Sequence, residues 1–85
     1  MNLNLQLFGA LRGLESGDRM QLAVDGETVA DLRAALVAHA GRQWPGISPG
    51  LLGKCAFSTD TEVLRDSDRL PANGRMAVLP PVSGG

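Results

Sequence analysis

The sequence predicts an α+β fold in which one main helix covers one face of a mixed β-sheet of four or five strands. Three observations predict it: two runs of alternating apolar and polar residues near the N-terminus, one helical stripe in the middle, and a short apolar run before two consecutive prolines near the end. The chain has 85 residues, of which 44% are hydrophobic, which suffices for one small domain with a single core. Because only one strong helix is predicted, it must cover a single face of the sheet.

The first two strands are predicted from alternation with a period of two, which is typical of a strand with one buried face. The apolar members of the first run are Leu3, Leu5 and Leu7. Phe8 ends this run, and Gly9 begins a glycine-containing loop. The apolar members of the second run are Met20, Leu22 and Val24. Two such runs close in sequence predict an antiparallel hairpin with a long connection.

The main helix is predicted over residues 29–40. Thr28 is a good N-cap, and Asp31 three residues later completes a pattern that resembles a capping box. Gly41 is predicted to end the helix. The apolar stripe that should face the sheet consists of Val29, Leu32, Leu36, Val37 and Ala40.

The second half of the chain is predicted to complete the sheet. Residues 43–53 form a proline- and glycine-containing loop with room for a short turn of helix, and residues 54–58 form a third strand with Cys55 and Phe57 on one face. Residues 60–73 are turn-rich, and their three larger apolar side chains should tuck inward: Val63, Leu64 and Leu70. The last strand is Arg75–Leu79. The order strand, strand, helix, strand, strand is the plan of a β-grasp domain.

Charge and cysteine content narrow the class of protein. The net charge is -1, so the sequence lacks the basic balance expected of a nucleic-acid binder. The single cysteine, Cys55, cannot form an internal disulfide, which favours a reducing cytoplasm. No apolar run approaches the ~20 residues that would span a membrane. We therefore expect a cytoplasmic protein with no nucleic-acid or membrane partner.

The C-terminal end predicts a reactive tail of residues 80–85 on a domain of residues 1–79. Pro80 and Pro81 lack backbone N–H groups and cannot continue a sheet ladder, so the chain should leave the domain in an extended path. Val82 can anchor in an apolar groove of a partner, whereas Ser83, Gly84 and Gly85 add almost no bulk. The terminal carboxylate of Gly85 is a weak nucleophile that could attack the α-phosphate of ATP held by a partner. The alternative is an inert terminus.

The other candidate residues are not expected to take part in a reaction. Cys55 is expected to be a buried, unreactive thiol rather than a sulfur relay. His39, in the last turn of the helix, is expected at the surface or beside the helix dipole, and no cluster around it predicts a metal site. Ser83 has no accompanying base, which excludes a hydrolase nucleophile. Trp44 is expected to anchor the end of the helix by packing.

These elements and the C-terminal sequence together resemble the small subunit of molybdopterin synthase, a family of ubiquitin-like β-grasp sulfur carriers. The resemblance covers essentially the whole chain. It includes the opening strand into Leu7-Phe8-Gly9-Ala10-Leu11-Arg12 and the helix entry Thr28-Val29-Ala30-Asp31-Leu32. Its most specific part is the ending Pro80-Pro81-Val82-Ser83-Gly84-Gly85.

The resemblance implies a sulfur carrier of molybdenum cofactor biosynthesis. An adenylyltransferase related to ubiquitin-activating enzymes would use ATP to adenylate Gly85, and a sulfur donor would convert it to a thiocarboxylate, with Gly84 granting access. The tail would then enter the large synthase subunit and pass sulfur to cyclic pyranopterin monophosphate. Two carriers would flank a dimer of the large subunit. The chain alone would be no enzyme and would hold no cofactor or metal.

The resemblance also implies a hydrophobic docking patch on the sheet face near the tail. Phe8 and Leu79 are its candidate residues, and core packing is the alternative for each. Pro80, Pro81, Val82 and Ser83 would contact the same partner.

Three other functions stay open on sequence grounds. The first is a related sulfur carrier that serves thiamine or another thiolated product. The second is a ubiquitin-like modifier that forms isopeptide bonds, although a single lysine, Lys54, argues mildly against chain building. The third is a passive interaction module. The identity of the sulfur donor and the oligomeric state of the chain do not follow from the sequence.

Overall fold

The computed structural model describes residues 1–81, and the last four residues, 82–85, fall outside its description. Within residues 1–81 the fold contains five strands and two α-helices, with two short 3-10 helices between the first two strands. The bounds of the strands and α-helices are β1 Asn2–Leu7, β2 Arg19–Ala23, α1 Val29–Gln43, α2 Pro49–Gly53, β3 Ala56–Ser58, β4 Val63–Leu64 and β5 Arg75–Leu79.

The strands form one mixed sheet in the order β2-β1-β5-β3-β4. The predicted hairpin is confirmed, because β1 and β2 pair antiparallel. The N-terminal and C-terminal strands, β1 and β5, pair in parallel at the centre of the sheet. β3 pairs antiparallel with both β5 and β4. The prediction of a mixed sheet with one main helix on one face is therefore confirmed.

One face of the sheet packs against α1 and holds the core. Residues at alternate positions in β1, β2 and β5 are buried, and their neighbours are exposed or half-buried. The predicted helix stripe is confirmed: Val29, Leu32, Leu36 and Ala40 are buried, and Val37 is half-buried against the core. No helix within residues 1–81 combines the length and apolarity needed to cross a membrane.

Helix α1 begins as predicted and ends later than predicted. The Thr28 hydroxyl accepts from the Asp31 N–H (3.3 Å), and the Asp31 carboxylate accepts from the Thr28 N–H (3.1 Å), which completes the capping box. Gly41 does not end the helix, which continues to Gln43. One more turn brings Trp44, with 2% of its surface exposed, into the core. Pro45 follows, and the residue before a proline is disfavoured in the helical conformation, so the helix ends there.

The capping box makes the acid stability of the fold depend on Asp31. Hydrogen bonds from Thr28 and from the Glu27 N–H lower the pKa of the Asp31 carboxyl. A carboxyl whose pKa is lower in the folded state adds stability above its unfolded pKa, about 3.9, and this stability is lost as the pH falls through the folded value. We expect Asp31→Asn to flatten the fall of stability below about pH 4. Urea unfolding across this range measures it, with Asp25→Asn as the control; equal profiles for Asp31→Asn and wild type would contradict it.

Two predictions in the second half of the chain need correction. Helix α2 ends at Gly53, so β3 is shorter than residues 54–58. Cys55 nevertheless shares the core with Phe57, as predicted. The prediction that Val63 tucks inward is wrong, because 63% of its surface is exposed. β4 presents one residue to each face: Leu64 pairs with Phe57 towards the core, whereas Val63 pairs with Ser58 on the open face.

Arg33, which the sequence places off the apolar stripe, fastens α1 to the segments that enter β3 and leave β4. Its Nη2 lies 2.7 Å from a carboxylate oxygen of Asp66. Its guanidinium carbon lies 4.9 Å from the centre of the Phe57 ring, at the distance of a cation–π contact. Its Nη1 donates to the carbonyls of Leu52 (2.9 Å), Gly53 (3.2 Å) and Cys55 (2.8 Å).

We expect Arg33→Ala to lower the free energy of unfolding by about 2–3 kcal/mol, because it leaves half-buried carbonyls without their charged donor. Arg65→Ala is the matched control, because the Arg65 side chain is 85% exposed. A change of about 0.5 kcal/mol or less is expected for it. Urea unfolding of both variants measures the difference, and equal losses would contradict the role given to Arg33.

Candidate functional site

The parallel pairing of β1 with β5 brings the two ends of the predicted site together. The carboxyl ends of parallel strands meet at one edge of a sheet, and here Leu7 is level with Val78. One residue further on, the Phe8 N–H donates to the Val78 carbonyl at 3.3 Å. The segment that follows β1 and the segment that follows β5 therefore leave the sheet side by side.

The tail leaves from the middle of this edge. Leu79 is the last residue of β5 and is level with Ala56 of β3. Pro80 is half-buried and Pro81 is exposed. Neither proline can donate to a neighbouring strand, so the ladder ends at Leu79. The last strand therefore ends at Leu79, as the sequence predicted.

Apolar side chains collect on the open face of the sheet beside this exit. Phe8 is 37% exposed, and Leu79 on the neighbouring strand is half-buried, so neither belongs to the buried core. Strand alternation places both on the face opposite the core, as it does the other members of the group. We call this group the open-face patch; it consists of Phe8, Ala56, Val63, Ala77 and Leu79, and Ser58 of β3 lies between Ala77 and Val63 on the same face.

The open face becomes polar away from the tail. A wide depression of about 640 Å³ lies there, and its lining includes Asn4, Gln21, Arg19 and Arg75. Arg75 pairs with Asp60 at 3.1 Å, and both side chains are largely exposed. The open face therefore has an apolar end at the tail exit and a polar end that spans β1, β2 and the start of β5.

The structure brings four of the predicted site residues together. Phe8, Leu79, Pro80 and Pro81 lie side by side at the edge of the sheet where β1 and β5 end. The other predicted residues, Val82, Ser83, Gly84 and Gly85, lie outside the described residues, so their place stays a prediction. Sequence reasoning missed Val63, which β4 turns onto the open face, and Gly9, which meets the Pro80 ring. The Phe8-Gly9 step directly after β1 was the available signal in the sequence, but only the fold shows that this step lies beside the end of β5.

Cys55 lies apart from this site. Its thiol is buried on the core side and donates to the Leu51 carbonyl at 3.4 Å. Burial raises the pKa of the Cys55 thiol, with a smaller opposing effect from Arg33. A thiol that resists ionisation is a poor nucleophile, so the structure agrees with the expected unreactive cysteine.

His39 is more enclosed than predicted. Its ring meets the Trp44 ring edge-on, with 5.1 Å between centroids. Its Nε2 lies 3.5 Å from the Glu15 carboxylate, which also accepts from the Trp44 indole N–H at 2.7 Å. This cluster ties the loop after β1 to the end of α1. Trp44 is thus the packing anchor that the sequence predicted.

Known proteins resemble this chain over its full length. A molybdopterin synthase sulfur carrier subunit from Synechococcus elongatus is 37% identical over 86 aligned residues, which cover 98% of this chain and 96% of that protein. The crystal structure of SAMP1 from Haloferax volcanii matches with a TM-score of 0.66 and 27% identity, covering all of both chains. A complex of subunits 1 and 2 of the molybdopterin-converting factor from Helicobacter pylori contains a chain that matches with a TM-score of 0.56 and 20% identity, again over all of both chains.

The two structural matches confirm the predicted β-grasp fold. The relative from Synechococcus elongatus confirms the predicted resemblance to the small subunit of molybdopterin synthase. The model of the ThiS family matches residues 5–85, a range that runs from β1 through the tail to Gly85. The chain therefore belongs to the ThiS family.

Proposed function

We propose that this chain is the sulfur carrier of molybdopterin synthase, and that Gly85 carries the sulfur as a thiocarboxylate. The observation that carries the proposal is the exit of the tail at the corner of the open-face patch, on a chain whose family match extends to Gly85. A partner that binds the patch is thereby set to receive the tail. The relative from Synechococcus elongatus supports the choice of pathway.

The carrier acts in three steps, and the groups that assist each step belong to partners. An oxygen of the Gly85 carboxylate attacks the α-phosphate of ATP on an adenylyltransferase, and pyrophosphate leaves. Hydrosulfide released by the donor then attacks the carbonyl of the acyl-adenylate, AMP leaves, and a thiocarboxylate remains. In the large synthase subunit the sulfur of this thiocarboxylate attacks a carbon of cyclic pyranopterin monophosphate and displaces an oxygen substituent. Water then hydrolyses the resulting thioester, which leaves the thiol on the pterin and restores the carboxylate on Gly85. Two carriers serve a dimer of large subunits, and the carrier itself binds no cofactor.

The chemistry of the tail suits these steps. Glycine at the end leaves no Cβ to hinder attack at the carbonyl, and Gly84 lets the backbone pass a narrow channel. The ~20 Å reach of residues 80–85 takes the carboxylate away from the domain and into the partner. The rigid sheet beneath the exit reduces the freedom that the complex must freeze.

Intact mass spectrometry tests the proposal directly. The full chain is incubated with the adenylyltransferase of its own organism, ATP and a sulfur donor. We expect a mass gain equal to the exchange of one oxygen for sulfur, located at Gly85 by fragmentation. An unchanged C-terminus under conditions that activate the carrier from Synechococcus elongatus would overturn the proposal.

A sulfur carrier for thiamine or another product is the second candidate, because the matching family model is that of the ThiS family as a whole. Binding distinguishes the two. The thiocarboxylate form should bind the large synthase subunit and convert cyclic pyranopterin monophosphate in its presence. Sulfur transfer to a thiazole precursor without transfer to the pterin would favour the second candidate, and adducts on lysines of other proteins would favour a modifier.

A further inference from the structure

We infer that Gly9 is a positioning residue for the tail: the absence of a side chain there lets the Pro80 ring seat against the turn after β1, and this contact sets the direction in which the tail leaves. The inference rests on the proposed function, since direction matters only if the tail must reach a partner's active site. It adds a residue that lies about 70 positions before the tail in the sequence.

The close approach of the two residues is the first observation. A Cβ on Gly9 would lie 2.8 Å from Cγ and 3.5 Å from Cδ of Pro80. Carbon atoms in van der Waals contact sit at about 3.5–4.0 Å, so the first distance is a steric overlap. Gly9 also has a φ of +58°, in the left-handed region that favours glycine.

The turn that carries Gly9 is fixed by its own hydrogen bonds and by a buried side chain. Residues Gly9–Leu11 form a 3-10 turn, closed by hydrogen bonds from the Leu11 N–H to the Phe8 carbonyl and from the Arg12 N–H to the Gly9 carbonyl, each 3.1 Å. Leu11 is fully buried in the core. The turn therefore cannot withdraw from Pro80 without disturbing the core.

Pro80 has few ways to yield. Its ring is closed onto its own backbone nitrogen, so Cγ can shift only by a change of ring pucker, and no side-chain rotation can move the whole ring aside. Leu79 before it is paired with Ala56 in the sheet. An added methyl group on Gly9 would therefore act on the backbone at Pro80, where the tail begins. Gly85 follows Pro80 by five positions in the sequence, and a change of direction at the base is carried over a span of up to ~17 Å.

The chain offers a matched control in Gly13. Gly13 has a φ of +87°, and nothing lies within 4 Å of the position of its Cβ. Alanine at either position would have to adopt a left-handed backbone conformation and would be strained in the same way, but only alanine at position 9 would also meet Pro80. The difference between Gly9→Ala and Gly13→Ala thus isolates the contact with the tail.

The first experiment measures activation of the full chain by ATP–pyrophosphate exchange on its adenylyltransferase. We expect Gly9→Ala to lower kcat/KM by about ten- to a hundred-fold, because small misplacements of a reacting group cost that much. Gly13→Ala should stay within about two-fold of wild type. Equal activity of the two variants, with an active wild type, would overturn the inference. An inactive wild type would instead count against the proposed function.

The second experiment separates positioning from a general loss of structure. The far-ultraviolet circular dichroism spectrum of the full-length Gly9→Ala chain should match that of Gly13→Ala under the assay conditions. A loss of folded protein in proportion to the loss of activation would overturn the inference, because it would show that the substitution damages the domain and not the direction of the tail.

A double-variant cycle keeps the inference testable even if Gly9→Ala is poorly folded. Pro80→Ala removes the ring atoms Cγ and Cδ that the Gly9 methyl group would meet. In the Pro80→Ala background, Gly9→Ala should cost no more activity than Gly13→Ala does in wild type. A cost as large as in the wild-type background would show that Pro80 does not mediate the effect and would overturn the inference.

Discussion

Deleting Gly85 is expected to abolish activation, with no detectable thiocarboxylate and a loss of pyrophosphate exchange of about a thousand-fold or more. The deletion leaves a carboxylate on Gly84, which is withdrawn by about 3.3 Å along an extended chain. Misplacement by 1 Å already costs about a hundred-fold, because the carboxylate must meet the α-phosphate in line with the leaving pyrophosphate. Intact mass spectrometry and pyrophosphate exchange measure the two effects.

The deletion should leave the stability of the fold unchanged, and this unchanged stability is the internal control. Gly85 lies six residues after the last residue of β5, so the unfolding midpoint in urea is expected to match that of wild type. The deleted chain should also keep its binding to the large synthase subunit through the open-face patch. Normal activation of the deleted chain would place the reactive group elsewhere and contradict the proposal.

Much of the fold follows from local sequence. The alternation of Leu3, Leu5 and Leu7 predicts β1, and the capping pattern of Thr28 and Asp31 predicts the start of α1, because each signal is carried by neighbours in the chain. The end of α1 could not be predicted from the local sequence. Gly41 is a common stop signal, yet burial of Trp44 stabilises a further turn, and tertiary packing outweighs local propensity.

The candidate site could be predicted from the sequence only in part. The Pro80-Pro81 step predicts where the sheet ends, since the reason is the missing N–H of proline itself. The open-face patch depends on pairings between distant segments, β1 with β5 and β3 with β4. A strand of two residues carries too little alternation to reveal its inward face, which is why Val63 was placed wrongly. The Gly9 contact likewise depends on the parallel pairing and has no local signature.

Leu79→Glu is expected to weaken binding of the thiocarboxylate form to the large synthase subunit by about a hundred-fold or more. Leu79 lies at the base of the tail and beside Phe8, so a partner that receives the tail should cover it first. Truncation at the centre of an interface costs about 2 kcal/mol or more, and a carboxylate buried there without a partner adds a further desolvation cost. Titration calorimetry or surface plasmon resonance measures the loss.

Two companion variants show whether the effect of Leu79→Glu comes from the lost apolar side chain, from the added charge or from its position on the open face. Leu79→Gln removes the apolar side chain without adding charge, so it should fall between wild type and Leu79→Glu. Ala38→Glu adds the same charge to an exposed position of α1, the helix that covers the opposite face of the sheet, and should leave binding unchanged. Unfolding in urea must stay close to wild type for all three, because both positions lie outside the buried core. If Leu79→Glu and Ala38→Glu bind alike, the partner does not dock on the open face, and the tail must then be guided by its own residues alone.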